Sequence, residues 1–241
     1  MTPRRRELVW EGCFNVRDLG GMPIAEGGLT RRRVLVRADS LSRLTPHGQR
    51  ALVSYGARTV IDLRTCEERA AEPADLPTGV RSVHVPLVDG ADLEALGVAR
   101  AQLDAYTRIL ERRGAWFASV LAEIAQAPAG AVVVHCVAGK DRTGLVVALL
   151  LALAGVEPRV VADDYAASEE AILPLFERWL REVDDPVERE VLARQRFAPA
   201  DTMLGTLARL EERFGGARRY ARDAGVSSAH IAAVRRRLVD G

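Results

Sequence analysis

The segment Ala131-Val132-Val133-Val134-His135-Cys136-Val137-Ala138-Gly139-Lys140-Asp141-Arg142-Thr143-Gly144, leading into the apolar run Leu145 to Ala154, decides how this 241-residue chain folds. The β-branched start suits a buried strand. The apolar run suits a buried helix and is well short of the ~20 residues a membrane span needs. A loop that leaves a strand end and enters a helix start aims backbone N–H groups and the positive end of the helix dipole into one concavity. That concavity suits a dianionic phosphate or another oxyanion.

Outward from this unit, β-type runs occur at Val34-Leu35-Val36, Thr59 to Leu63 and Val80 to Leu87. Thr45, Pro46 and Gly56 have the order of an N-cap, a first helical position and a helix stop. Thr65 and Glu68 have the spacing of a capping box. Strands interleaved with helices predict an α/β fold with a partly parallel central sheet flanked by helices, its polar loops gathered at the strand C-terminal ends. From about residue 158 the pattern is helical almost to the end, broken at Pro186, Pro199, Gly215-Gly216 and Gly225. No repeat or low-complexity linker sets this half apart, so residues 1–241 are expected to form one domain, with a helical subdomain or lid at about 158–241.

At 48% hydrophobic and 28% charged residues, the chain can bury a sizeable core and is not a disordered polymer. Its formal charge of +1 supplies no global field for nucleic acid, so no nucleic-acid partner is expected and anion binding must be local. Cys13, Cys66 and Cys136 are too few and too far apart for a disulfide scaffold or paired zinc ligands; a reducing compartment and no metal or cofactor are expected. Arg4 to Arg6 precede no apolar stretch, which points to a cytoplasmic protein or one secreted without a Sec signal, and no integral membrane span is expected. The short Arg runs at 4–6, 31–33 and 235–237 read as solvated faces. Lys140 is the single lysine and Asn15 the single asparagine of the chain, and that lysine falls inside the loop.

Within the loop, the amides of Val137, Ala138, Gly139 and Lys140 are candidate phosphate ligands, and Arg142 offers a bidentate guanidinium fork. Cys136 would lie beneath the phosphorus. Helix N-termini and nearby cations favour thiolate over thiol, which would ready the sulfur for attack. Thr143 is placed to donate a hydrogen bond to it. Gly139 and Gly144 relieve crowding where the backbone bends round a ligand. The nucleotide P-loop is a decoy here, because Gly139-Lys140 is followed by Asp141 instead of Ser or Thr.

His-Cys-x-x-Gly-x-x-Arg-Thr-Gly between a strand and an apolar helix resembles the signature of the cysteine-dependent protein tyrosine phosphatase superfamily. Its fuller form, His135-Cys136-x-Ala138-Gly139-Lys140-Asp141-Arg142-Thr143-Gly144, is similar to the bacterial and fungal tyrosine phosphatase branch. Asn15-Val16-Arg17-Asp18-Leu19-Gly20-Gly21, Arg37 to Leu41, Ile61 to Arg64, and Phe214-Gly215-Gly216 with Tyr220 and Gly225 extend the likeness over nearly the full length. The resemblance implies a flattened, mostly parallel sheet among helices. It also implies hydrolysis of phosphotyrosine, with phosphoserine, phosphothreonine and phosphoinositides as further substrates.

On this reading Cys136 forms a phosphocysteine while Arg142 and the loop amides hold the equatorial oxygens, and water then releases phosphate. A general acid must protonate the leaving oxygen. Asp141 in the loop, Asp62 at a strand end and Asp89 after Val85-Pro86-Leu87 are the candidates, with Asp141 and Asp62 ahead of Asp89 and not separated from each other. Lys140 would stand at the rim as a second cation. His135 reads as structural. Asn15, Arg17 and Asp18 either brace the loop or form a turn closed by Gly20-Gly21. Arg64 and Arg69 either stand at the pocket rim or, as the preferred reading, are surface residues pairing with Glu67, Glu68 or Glu72, and Cys66 reads as an unrelated thiol or an oxidation partner of Cys136. Two other functions remain compatible: an idle phosphate-binding module and a rhodanese-type sulfurtransferase.

Overall fold

The computed structural model describes residues 6–97 and 102–239. Five strands form one sheet: β1 (Arg17–Asp18), β2 (Leu35–Ala38), β3 (Ala57–Asp62), β4 (Arg81–His84) and β5 (Ala131–His135). Their spatial order is β1-β2-β5-β3-β4. Only β1 runs antiparallel to its neighbour; the other three pairings are parallel. The last strand in sequence thus enters the middle of the sheet. His135 faces Ala38 of β2 on one side and Asp62 of β3 on the other, so the loop after β5 leaves the sheet at its centre, flanked by two more strand ends. Ligands of open α/β sheets gather at such a switch in strand order.

β5 has water on neither face, which is why its sequence is a continuous apolar run and not an alternation. One face of the sheet, carrying Val36, Val60 and Val133, packs on Trp10, Leu41, Leu44 and Leu52. Leu52 belongs to α1 (Pro46–Tyr55). The other face, carrying Leu35, Ile61, Val132 and Val134, supports the large core. That core is built by α4 (Gln102–Arg112), α5 (Gly114–Gln126), α6 (Asp141–Ala154), α7 (Pro158–Ala171), α10 (Ala200–Phe214), α11 (Ala217–Asp223) and α12 (Ser228–Leu238). α2 (Cys66–Ala71), α3 (Gly90–Gly97), α8 (Leu173–Glu182) and α9 (Pro186–Gln195) lie outside it.

α6 follows the loop directly and is buried at every position except Asp141 and Ala152. A helix apolar all round has to be surrounded. Each buried Leu or Val contributes about 1.5–3 kcal/mol relative to exposure, so this helix anchors the loop from behind. It ends at Gly155, whose φ of +87° is the left-handed stop.

The local signals read from the sequence are met. Thr45 accepts from Gly48 N, Pro46 is the first residue of α1, and Gly56 closes it. Thr65 and Glu68 form the reciprocal capping box of α2. Pro186 and Pro199 stand at helix starts and Gly215 at a helix end. Three things differ. The strand expected at Val80 to Leu87 shortens to four residues, since it is an edge strand and Pro86 cannot donate to a ladder. Arg17-Asp18, read as part of a brace or turn, pairs with β2. Nothing in the strand pattern marked the helices α3, α4 and α5, which form within 90–97 and 102–126. Among the described residues no helix is long and apolar enough to cross a membrane.

Candidate active site

The loop Cys136 to Arg142 is held from outside by its carbonyls. Ser40 N donates to Val137 O at 2.9 Å. Asn15 Nδ2 donates to Ala138 O at 2.9 Å and to Gly139 O at 3.1 Å. Arg37 Nη2 donates to Gly139 O at 2.6 Å. In a trans peptide the carbonyl and the next N–H point in opposite directions. Tying these three carbonyls outward therefore turns the amides of Ala138, Gly139 and Lys140 inward. Gly139 has φ +66°, and a Cβ there would sit 2.4 Å from Ala38 O, so only glycine lets the loop lie this close to β2. Cys136, 3% exposed, occupies the strand end at the base of this turn.

Behind the loop is a buried ionic cluster. Asp164 of α7 takes Arg37 Nη1 at 2.8 Å, Arg6 Nη1 at 2.7 Å and Arg17 Nε at 3.4 Å. Arg17 also reaches Asp164 O at 2.8 Å and Ser168 Oγ at 3.0 Å, and donates a short bond to Asn15 Oδ1. Burial works against the Asp164 carboxylate, but the three guanidinium groups outweigh it and hold its pKa well below the usual carboxylate range. The same burial lowers Arg17 to about 10 in spite of Asp164, which leaves it charged at neutral pH. The Asn15 and Arg17 brace is therefore present. Asp18, expected with them, instead takes Gly20 N, Arg33 N and the Tyr55 hydroxyl, stapling the N-terminal segment to α1.

Arg142 enters the site with both Nη atoms on the Glu68 carboxylate, Nη2 at 2.9 Å. Burial opposes its charge, but the Cys136 sulfur and Glu68 together raise its pKa above the ordinary arginine value. Glu68 thus caps α2 and orients the fork. The capping box was visible in the sequence, whereas its second partner is 74 residues away.

The three candidate acids have different surroundings. Asp62 is clasped by Arg64, with Nε at 3.0 Å and Nη2 at 2.8 Å, and takes Arg64 N as well. Burial raises its pKa, but the Arg64 bonds and His135 overcome this and lower it. Asp89 caps the start of α3 and pairs with Arg113 in an exposed position. Asp141 begins α6 beside Arg142. Its Oδ1 takes Gln102 Nε2 at 2.9 Å and the Tyr106 hydroxyl at 2.6 Å, with Lys140 Nζ at 3.3 Å, while Oδ2 has no bond among the described residues.

Several other expectations need correction. Lys140 is not displayed at the rim: it is 2% exposed, and its ammonium donates to the carbonyls of Gln195 and Phe197, tying the loop to the connection between α9 and α10. Arg64 is not a surface residue, being buried on Asp62, Ser40 Oγ and Glu72 O. Thr143 Oγ1 is buried and has no partner among the described residues, so it makes no bond to the Cys136 sulfur here. Gly144 serves helix packing, since a Cβ there would lie 3.0 Å from the Tyr165 ring. Cys66 is a free, exposed thiol at the first position of α2.

His135 is buried, with Nδ1 3.2 Å from Cys136 O. Desolvation lowers its pKa from 6.5 to about 4, with Asp62 opposing. A group depressed on folding contributes nothing adverse above its unfolded pKa and costs stability as pH falls towards its folded one. The chain is therefore expected to lose on the order of 3 kcal/mol between pH 6.5 and 4 through this group, at about 1.4 kcal/mol per unit. Chemical denaturation across that interval checks this. His135→Gln should flatten the profile, and an unchanged slope in the variant would refute the assignment.

A central strand, a loop of inward amides, a buried cysteine at its base and an arginine fork at the helix start form a concavity whose chemistry suits an oxyanion such as a phosphoester. The chain belongs to the tyrosine phosphatase family, whose sequence model matches residues 8–240, and it is a phosphatase. The "Triple specificity protein phosphatase PtpB" of Mycobacterium tuberculosis is 29% identical over 94% of this chain and 96% of its own length. A "Tyrosine-protein phosphatase" of Nostoc commune is 32% identical over 84% of this chain and 73% of its own. Among solved structures, that of P. aeruginosa TpbA aligns over 74% of this chain and 89% of its own, at 22% identity and a TM-score of 0.29, a likeness too loose to add to the fold. Phosphorylated molecules are the substrates this family membership implies, and the sulfurtransferase alternative falls away.

Proposed function

We propose that the protein hydrolyses phosphoesters of phosphorylated proteins through a phosphocysteine on Cys136. The observation that carries this reading is the inward-turned amide loop with Cys136 at its base and Arg142 at its mouth. The sulfur attacks phosphorus in line, forming S–P as the ester P–O bond breaks. The amides of Val137 to Lys140 and the Arg142 fork hold the equatorial oxygens, Glu68 being the carboxylate that keeps the fork oriented before substrate arrives. Water then attacks phosphorus, releasing inorganic phosphate and the thiolate. No step calls for a metal. Acid-quenched mass spectrometry during turnover of a phosphotyrosyl peptide should show the chain heavier by one PO3 group on Cys136; a label on any other residue overturns the scheme.

Asp141 is the proton donor of this scheme. It stands beside Arg142 with one carboxylate oxygen anchored and Oδ2 without a bond, whereas Asp62 is spent on Arg64 and Asp89 on α3 and Arg113. Oδ2 gives its proton to the leaving oxygen and later takes one from the attacking water. Asp141→Asn should lower kcat on alkyl and phenyl phosphates by about 10²–10⁴-fold and remove the basic limb of its pH profile. If that limb disappears in Asp62→Asn or Asp89→Asn instead, the role moves there.

Phosphotyrosine is the first substrate to expect, with phosphoserine and phosphothreonine supported by the breadth declared in the name of the M. tuberculosis relative. Phosphoinositides rest on the family resemblance alone, and the buried Lys140 ammonium offers no rim cation for extra ring phosphates. A panel of phosphopeptides and phosphoinositides ranks the four by kcat/KM. We also take the whole chain to work as one domain, because α10 to α12 share their apolar core with the sheet that carries the loop. Three free cysteines support a reducing compartment as its place of work.

A further inference from the structure

A second concavity lies at the other end of α6. Ile24 bridges Val156 and Ala25 N donates to Gly155 O, just past the C-terminus of that helix. With 14 residues rising 1.5 Å each, this end is about 20 Å from the catalytic loop at the helix start. The cavity there is about 870 Å³ and is lined by Arg31, Arg218, Arg222, Arg235 and Arg236, with Glu26 the one carboxylate on its wall among the described residues. Ile24 and Ile231, both nearly buried, supply apolar floor.

What sets this wall apart is the number of guanidinium groups gathered in one concavity. Some surface arginines are matched singly, as in Arg159 with Asp163, Arg178 with Glu182, Arg209 with Asp104 and Arg219 with Asp223. At the cavity Glu26 is taken by Arg235, and Arg218, Arg222 and Arg236 have no ion pair among the described residues. Arg218 and Arg222 are one helical turn apart on α11, where like charges repel, and α12 adds two more guanidinium groups from its last turn. The chain as a whole carries only +1, so this is a local concentration of cations and not a basic protein.

We propose that this cavity is a second anion site, separate from the catalytic loop, that takes a soluble organic polyphosphate: two or more phosphate groups for the guanidinium forks, on an apolar or aromatic body for the Ile24 and Ile231 floor. Planar guanidinium groups pair phosphate oxygens two at a time. The volume lies in the range of small-ligand pockets, and a concave wall fits a small molecule better than a flat bilayer. A membrane on this face would also leave the catalytic loop at the end of the molecule turned away from the lipid.

The test is isothermal titration of the full chain at 0.15 M salt with a nucleoside triphosphate, inorganic tripolyphosphate and phosphatidylserine vesicles as three probes. Saturable nucleotide binding is expected, tighter than tripolyphosphate because the floor contributes. Arg218→Ala with Arg222→Ala should weaken it about 10-fold or more while leaving p-nitrophenyl phosphate turnover unchanged without ligand. Both residues are exposed, and an unchanged melting curve verifies the fold. The proposal is overturned if the nucleotide does not saturate, if the double variant binds it as well as wild type does, or if only vesicles bind.

Discussion

Cys136→Ser is expected to remove turnover of p-nitrophenyl phosphate and of phosphotyrosyl peptides, by about 10⁴-fold or more in kcat, as when the nucleophile of a covalent mechanism is lost. A serine hydroxyl at this base has no thiolate to offer and no neighbouring base: His135 is buried with its Nδ1 towards the Cys136 carbonyl, and burial keeps it neutral down to about pH 4. The cup does not depend on the sulfur. Its carbonyls are held by Asn15, Arg37 and Ser40, and its fork by Glu68. The variant should therefore melt within a few degrees of wild type and still bind phosphotyrosyl peptide, which makes it a substrate trap. Steady-state kinetics beside a binding titration decide the matter: residual activity within 10²-fold of wild type would end the proposal of covalent catalysis by Cys136.

Asp164→Ala has the second largest expected effect, and it acts on stability as well as on the loop. Removing that carboxylate leaves Arg6, Arg17 and Arg37 facing one another out of water, and breaking a buried ion pair costs about 3–5 kcal/mol. For a chain of this length that is about 6–20 °C in Tm. Arg37 and Arg17 reach the loop, through Gly139 O and Asn15 respectively, so KM for phosphopeptide should rise in whatever fraction remains folded. The pH dependence has a definite sign. Asp164 is held well below its unfolded pKa of about 3.9, so its contribution is complete above that value and is lost as pH falls beneath it. Wild type should therefore lose stability in acid through this group, and the variant should lack that component. Calorimetry that finds Tm lowered by less than 2 °C would show that the cluster is not what holds the loop.

The loop was legible because its meaning is local. A cysteine at a strand end, an arginine six residues on, glycine where the backbone bends and an apolar run behind are consecutive, and consecutive residues share geometry whatever the rest of the chain does. The caps at Thr45, Thr65 and Gly56 were legible for the same reason. Lys140 shows the limit: its place in the loop was plain, but its side chain answers to the carbonyls of Gln195 and Phe197 more than fifty residues later. Arg64, two positions from Asp62, was misjudged as a surface residue because burial by other elements, and not spacing, made the two a pair.

By itself the sequence determined the strand–loop–helix unit, the α/β class and the helical second half, and it singled out Cys136 and Arg142 as the candidates around which the proposed chemistry is arranged. Only the tertiary structure decided that β5 lies between β2 and β3, that Asp164 and Glu68 serve the loop from distant helices, that one Asp141 carboxylate oxygen has no bond among the described residues, and that five arginines meet at the far end of α6. The physical reason is the range of the forces involved. Dihedral preference and capping act between neighbours in the chain, while ion pairs and desolvation act between neighbours in space, which the order of residues does not by itself reveal.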